Sequence, residues 1–428
     1  MKSACCVIAV LVCVTVLARN VDSKTWGLLI AGSNTWDNYR HQADICHAYQ
    51  ILHRNQIPDE NIVVMMYDDI AQNPANPTPG KIINKPNGPD VYHGVPKDYT
   101  GKDVTPKNFL SVLKGDKDAV QGIGSGKVID SGPDDNVFVY FADHGAPGLV
   151  AFPGVAPPLK KKQLLQAINF MHQKNKYKQM VIYVEACESG SMFADGGLPN
   201  NIKVFATTAA NPRESSYAYY WDNKRDTYLG DLYSISWMEN SDKSNLTSET
   251  LQQQFLKVKK RTTQSHVQEY GEQDMSADSV IDFQGEGKES WLPAKDTNEY
   301  DTNDAVPSPE VPMAILEHRL EKASSSEKVK IEMKMLSLLR ERQRVRETVE
   351  KIAEVATHGE EQKFRVLEGS SGKVTELDCH AEVVDAFHEK CFALGKSDAA
   401  LRHVYVLANL CEEKIPLPQI LSAINESC

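Results

Sequence analysis

Two apolar runs near the middle of the chain limit its possible folds more than any other feature. Val137-Phe-Val-Tyr-Phe-Ala142 and Met180-Val-Ile-Tyr-Val184 are unbroken stretches of β-branched and aromatic residues. Runs of that length without alternation suit central strands of a parallel sheet, buried on both faces. Each run stops in polar, reactive residues: Asp143-His144-Gly145 after the first, Glu185-Ala-Cys187-Glu-Ser-Gly-Ser191 after the second. In open α/β sheets ligands gather beyond the carboxyl ends of the strands. A base and a thiol nucleophile are therefore expected side by side on one rim.

The surrounding pattern agrees with a sheet of this kind. Strand-like segments at 26–31, 62–67, 137–141, 180–184 and 203–207 alternate with helical patterns at 43–55, 107–114 and 160–174. That alternation marks an α/β domain with a mostly parallel sheet. The Pro-, Gly- and Asn-rich stretch 73–100 reads as a long loop. A helix is expected over 246–268, opened by Ser244 or Asn245. The domain spans 26–291. A polar segment with Pro307, Pro309 and Pro312 then marks a linker over 292–326. An amphipathic helix follows at 327–355, with Leu336, Leu339, Val345, Val349, Ile352 and Val355 on its apolar face. A small helical unit ends the second part, 327–428.

Charge and cysteine usage narrow the class. A net charge of −11 with no dense basic block argues against nucleic-acid binding. Lys2 followed by an apolar stretch to Ala18 reads as a secretory signal peptide over 1–18, with cleavage between Ala18 and Asp22. No later stretch approaches the length of a membrane span, so a soluble mature protein is expected. Of nine cysteines, Cys5, Cys6 and Cys13 fall in the signal, and Cys379, Cys391, Cys411 and Cys428 crowd the end. Four cysteines in a short secreted segment imply two disulfides, with three connectivities open.

Cys187 has no evident partner. A buried structural cysteine is the bland reading, and Cys46, inside a helical pattern, fits it. Cys187 differs because it ends a strand, precedes a turn rich in free N–H groups, and neighbours His144. Those are the parts needed for acyl transfer. No zinc-type ligand spacing accompanies His144, so no metal and no cofactor are expected. Gly122-Ile-Gly-Ser-Gly-Lys127 fails the phosphate-loop pattern at both ends and reads as a glycine turn. Asn245-Leu-Thr247 and Asn425-Glu-Ser427 are glycosylation sequons. Lys114-Gly-Asp116 reads as a surface turn.

Several separate segments together resemble one family. Ala31-Gly-Ser-Asn34, Asn38-Tyr-Arg-His-Gln-Ala-Asp44, Asp143-His144-Gly145, Glu185-Ala-Cys187 and Ala206-Thr-Thr-Ala-Ala-Asn-Pro-Arg-Glu-Ser-Ser-Tyr217 are similar to motifs of the legumain family. These are asparaginyl endopeptidases among the caspase-like cysteine proteases. The resemblance runs from about residue 26 to 428 and implies a caspase-like fold followed by an all-α, disulfide-bonded inhibitory prodomain. It assigns Cys187 as nucleophile, His144 as its proton-transfer partner, Asn38 as orienter of the imidazole, and the N–H groups of Gly145 and Cys187 as oxyanion donors. Arg40, His41, Glu185, Ser215, Ser216 and Asp231 would form the primary specificity pocket. Asp143 is a candidate for succinimide formation. The disulfides implied are Cys379–Cys411 and Cys391–Cys428.

The implied partners are protein and peptide substrates and cystatin-type inhibitors, in the lysosome or outside the cell. A monomer is expected, with an oligomeric precursor as the alternative. Activation departs from the family pattern. The stretch 320–327, where family members cut themselves after Asn, contains none here; Asn298 and Asn303 lie upstream, beside Asp301 and Asp304. Acid release is expected if a net-acidic catalytic part faces Lys328, Lys330, Lys334, Arg340, Arg342, Arg344 and Arg346. Two rival readings remain: a peptide ligase on the same scaffold, and a non-catalytic homologue that binds.

Overall fold

The computed structural model describes residues 23–286 and 303–428. The expected signal peptide and the positions Asn298 and Asp301 lie outside the described residues. The central sheet has six strands in the order Gln268–Gly271, Val204–Thr208, Gln179–Glu185, Asn136–Ala142, Thr25–Ala31, Ile62–Met65. The last five run parallel, and Gln268–Gly271 adds an antiparallel edge.

All seven positions of Asn136–Ala142 are buried. Alternate side chains enter two cores, as the period of a strand requires. Phe138, Tyr140, Val181 and Tyr183 pack on one face against the helices Tyr39–Arg54 and Leu232–Lys243. Val137, Val139, Met180 and Ile182 pack on the other, against Pro106–Lys114 and Lys161–Gln173. Each fully buried Val, Ile or Phe contributes roughly 1.5–3 kcal/mol, so these two strands anchor the fold they were expected to centre.

One helix departs from its expected bounds. It covers Leu251–Arg261 and starts at Thr250, not at Ser244 or Asn245. The Thr250 hydroxyl accepts from the Gln253 N–H while the Gln253 side chain accepts from the Thr250 N–H, a closed capping box. Gln268 belongs to the edge strand, which pairs with Val204–Thr208.

The expected linker also carries structure. Val306–Pro307 pairs antiparallel with the strand Tyr217–Asp222, and the helix Val311–Lys322 follows, with a proline in its first turn where no N–H is needed. The helix Ser325–Ala356 opens on a Ser324–Glu327 capping box. Val345, Val349 and Ile352 are buried, but Leu336, Leu339 and Val355 are 52%, 49% and 37% exposed. A 32-residue helix is about 48 Å long. Its second half packs into the four-cysteine unit; its first half has the helix Val311–Lys322 alongside. The bonds Cys379–Cys411 and Cys391–Cys428 tie that unit together. Its core continues into Ala146, Leu149 and Ala151, on the hairpin after His144.

Candidate active site

Sheet register sets the centre of the site. Ala142 pairs with Glu185, so two steps further His144 stands opposite Cys187. His144 Nε2 lies 2.9 Å from Asn38 Oδ1. An amide oxygen accepts only, so Nε2 carries the proton and Nδ1 is left as the basic nitrogen. The Cys187 thiol accepts from the Ser216 N–H at 3.3 Å. Burial lowers the proton affinity of His144 and raises the pKa of Cys187, so both are neutral in this state. Glu188, directly after the thiol, has a left-handed backbone at φ 49°, which turns the chain sharply past Cys187. Gly145 needs to be glycine: a Cβ there would lie 2.3 Å from the Cys187 carbonyl oxygen.

The pocket residues converge from four segments. Arg40 is fully buried; its Nε donates to Asp231 Oδ1 at 2.9 Å and its Nη2 to Ser308 Oγ at 2.6 Å. Glu185 Oε2 accepts from both the N–H and the hydroxyl of Ser234. Glu185 Oε1 and Asp231 Oδ2 have no hydrogen-bond partner. His41 Nδ1 is 2.6 Å from Ser33 Oγ, and burial keeps its ring neutral. Ser216 is buried beside the thiol and Ser215 half-buried. Burial raises the proton affinity of Glu185 and Asp231, and repulsion from Asp231 raises Glu185 further.

Two residues of the C-terminal part reach this centre. Ser308 holds the Arg40 guanidinium, and Asp398 Oδ1 lies 3.5 Å from His144 Nδ1. Neither was foreseen, because nothing in a local pattern says which loop of a prodomain lands on a distant site. The basic row expected to face the catalytic part does so only in part. Lys328, Lys330, Lys334, Arg340, Arg344 and Arg346 are exposed, Arg342 pairs with Glu310 of the same C-terminal part, and Lys334 is near enough to Asp37 of the catalytic part to favour its ionised form. Among the described residues, Arg319–Asp37, Lys322–Asp226, Lys162–Asp378 and Lys160–Asp385 cross between the two parts beside His144–Asp398, with both polarities represented. A helix face turned to solvent carries the same charge pattern as one turned to a partner, so the sequence does not separate Lys334 from its exposed neighbours.

The remaining candidates separate cleanly. Asp143 is fully buried, its carboxyl raised by desolvation and 3.3 Å from His41 Nδ1. His41, Asp143 and His144 offer ligand atoms within 4.8 Å of one another, but Ser33 and Asn38 already engage the two rings. Asn245 and Asn425 are exposed. Gly122–Lys127 is a turn whose lysine Nζ donates to the Ile62 carbonyl at 2.9 Å. Gly115 makes the left-handed cap of the helix Pro106–Lys114. Cys46 is fully buried, as expected of a core residue.

A mostly parallel sheet that sets a buried His and Cys at adjacent strand ends is the arrangement of a cysteine peptidase. Comparison with known proteins agrees. Residues 25–286 match the peptidase C13 family model, and residues 333–428 match the legumain prodomain model. The chain is 50% identical to rat (Rattus norvegicus) legumain over 95% of this chain and 92% of that one. It is 49% identical to human (Homo sapiens) legumain over 95% and 93%, and 41% identical to the hemoglobinase of Schistosoma japonicum over 96% and 94%. The chain belongs to the peptidase C13 family, the legumain-type cysteine endopeptidases.

Proposed function

We propose that this chain is the precursor of an endopeptidase that cleaves after asparagine. Cys187 attacks the carbonyl carbon and passes its proton to His144 Nδ1, while Asn38 holds the ring. The N–H groups of Gly145 and Cys187 take the developing oxyanion. His144 then protonates the leaving amine, and water hydrolyses the thioester. One observation carries the specificity. Glu185 Oε1 and Asp231 Oδ2 are buried acceptors without donors, beside the Arg40 donor that now rests on Ser308. A carboxamide supplies two N–H groups and an oxygen to that set. A carboxylate would be repelled until protonated, toward its ordinary value of about 3.9.

The test compares matched Asn and Asp peptides between about pH 4 and 7. Cleavage after Asn should dominate near neutral pH, with cleavage after Asp emerging as pH falls. Equal rates at neutral pH overturn the pocket reading. An Asn-directed electrophile should label the activated enzyme and spare Cys187→Ala; equal labelling of both removes Cys187 from its role.

The precursor form is inhibited by its own chain. Val306 and Pro307 add to the strand Tyr217–Asp222 as an extended peptide adds to a sheet edge. Ser308 enters the pocket, and Asp398 covers the basic nitrogen of His144. Cleavage after Asn298 or Asn303 detaches this whole segment. Cleavage at Ala323 would leave Val306–Ser308 attached to the catalytic part. The C-terminus of the acid-activated enzyme should therefore be Asn298 or Asn303. A terminus near Ala323 in fully active enzyme overturns this route. The N-terminal apolar segment, the disulfides and the sequons support passage through the secretory pathway to an acidic compartment. The buried, protonation-prone Asp143 supports cyclisation onto the His144 nitrogen, which would lower the intact mass by one water.

A further inference from the structure

We propose that Lys160, Lys161 and Lys162 form, in the activated enzyme, a cationic subsite that selects substrates with acidic side chains on the leaving-group side of the scissile bond. This rests on the asparagine-directed reading above and adds to it a part of the substrate which that reading leaves unspecified.

Three adjacent lysines are a poor way to open a helix. Lys160 ends the strand Leu159–Lys160, and Lys161 and Lys162 begin the helix Lys161–Gln173. Cations there meet the positive end of the helix dipole, and neighbouring ammonium groups repel one another. What holds them belongs to the C-terminal part. Lys160 pairs with Asp385 and Lys162 with Asp378, both on the helix Leu377–Lys390. Lys161 Nζ donates to the Val374 carbonyl at 3.0 Å, and to Ala194 O in its own part at 2.9 Å. Both carboxylates and the Val374 carbonyl leave with the cover. The three lysines stay behind, with Asp195 the acid of the catalytic part that acts on Lys161. Burial lowers the pKa of Lys161 from its ordinary 10.5, and release of the cover removes part of that burial.

Their place in the fold decides which part of a substrate meets them. Val306–Pro307 runs along Tyr217–Asp222 and brings Ser308 to Arg40, so the acyl side of a substrate lies along that strand. The leaving nitrogen must meet His144, and the chain beyond it departs over the loop that follows His144. Lys161 N–H donates to Gly148 O on that loop at 2.8 Å. The Val374 side chain sits against Gly148 while its carbonyl reaches Lys161 Nζ. The stretch from His144 to Gly148 spans at most about 14 Å, so the subsite lies within about four residues of the scissile bond. An acidic side chain there would gain a charge-assisted hydrogen bond that a neutral one lacks. The cover already presents that chemistry through Asp378 and Asp385.

The test uses enzyme activated from the full-length chain and peptides that share one asparagine. The first carries glutamates at the second and third positions after it, the second carries glutamines there, and the third carries the glutamates before it. Glutamates after the asparagine should raise kcat/KM about fivefold over glutamines, mainly through KM, and about 0.5 M salt should remove most of that gain. Glutamates before the asparagine should not produce it. Lys161→Gln with Lys162→Gln should erase the gain, and Lys162→Gln alone should reduce it. Thermal melting and Cys187 labelling establish that each variant is folded; if the double variant is not, Lys162→Gln decides alone. Equal rates on the first two peptides overturn the proposal. So does the same gain from glutamates on either side, or an unchanged gain in the variants, or equal losses on all peptides as a structural role would give. If the unmodified enzyme cuts none of the peptides after asparagine, the asparagine-directed reading fails instead, whatever the variants do.

Discussion

In the catalytic part every residue of Asn136–Ala142 is buried, and even the ionisable groups Arg40, Asp44, Glu185 and Asp231 are sealed from solvent. The long helix of the C-terminal part leaves Val329, Met333, Leu336 and Leu339 between 49% and 66% exposed. The first region is held by a two-sided core. The second has a core of its own, built on one half of the long helix and closed by two disulfides, and docks against the catalytic surface through Ala146, Leu149 and Ala151. A part assembled in that way can detach without taking the sheet with it. That is what a removable cover needs.

Substitutions can break this comparison from either side. The largest effect is expected at the proposed nucleophile. Cys187→Ala should cost at least about a thousandfold in kcat/KM with little change in melting temperature, because the sheet does not depend on the thiol. A large fall in melting temperature would mean that site and core are not separable. Next comes the C-terminal unit. Cys379 and Cys411 are 32 residues apart, and opening that loop should cost about 3–4 kcal/mol by the chain-entropy estimate. Replacing both by Ser should therefore loosen the cover and raise activity before any cleavage, while the activated enzyme keeps its rate. Loss of activity in the activated form would show that the two parts share stability.

The catalytic part was the more legible of the two, for a physical reason. A strand buried on both faces writes its environment into consecutive residues, so Val137–Phe141 and Met180–Val184 announce both the sheet and the rim where His144 and Cys187 stand. The pocket was legible only through the family resemblance, since Arg40 and Asp231 are brought together by folding and no local period links them. Ser308 and Asp398 were not legible at all; their role depends on how one body docks on another. The apolar positions of the long helix were misjudged in its first half. Periodicity shows that a helix has an apolar face, but Leu336 and Leu339 show that a face can remain uncovered.

The smallest of the expected effects concerns the proposed release of the cover by acid, and it falls on the seam between the two regions. His380, on the helix Leu377–Lys390, is buried against the hairpin after His144, with Nε2 2.9 Å from the Pro147 carbonyl. Burial, reinforced by Lys160 and Lys161, lowers its pKa from 6.5 to about 4; the Pro147 carbonyl and Glu412 pull the other way. The covered form therefore resists protonation that the uncovered form accepts. His380 contributes fully to attachment above about pH 6.5, and that contribution is lost as pH falls toward 4, up to about 3 kcal/mol in all. Glu188 works in the opposite sense. Its carboxyl is raised to about 8, chiefly by burial, so protonating it favours the closed form. His380→Gln should therefore make release of the C-terminal part less steep in pH and move its midpoint down; Glu188→Gln, which is neutral at every pH, should also move the midpoint down but make release steeper. Release can be followed by size-exclusion chromatography of a cleaved but uncovered-inactive Cys187→Ala chain. If His380→Gln leaves the midpoint where it was, His380 does not carry the acid response, and raising the salt concentration then tests whether the crossing ion pairs at Asp37, Asp226, Asp378 and Asp385 hold the C-terminal part in place.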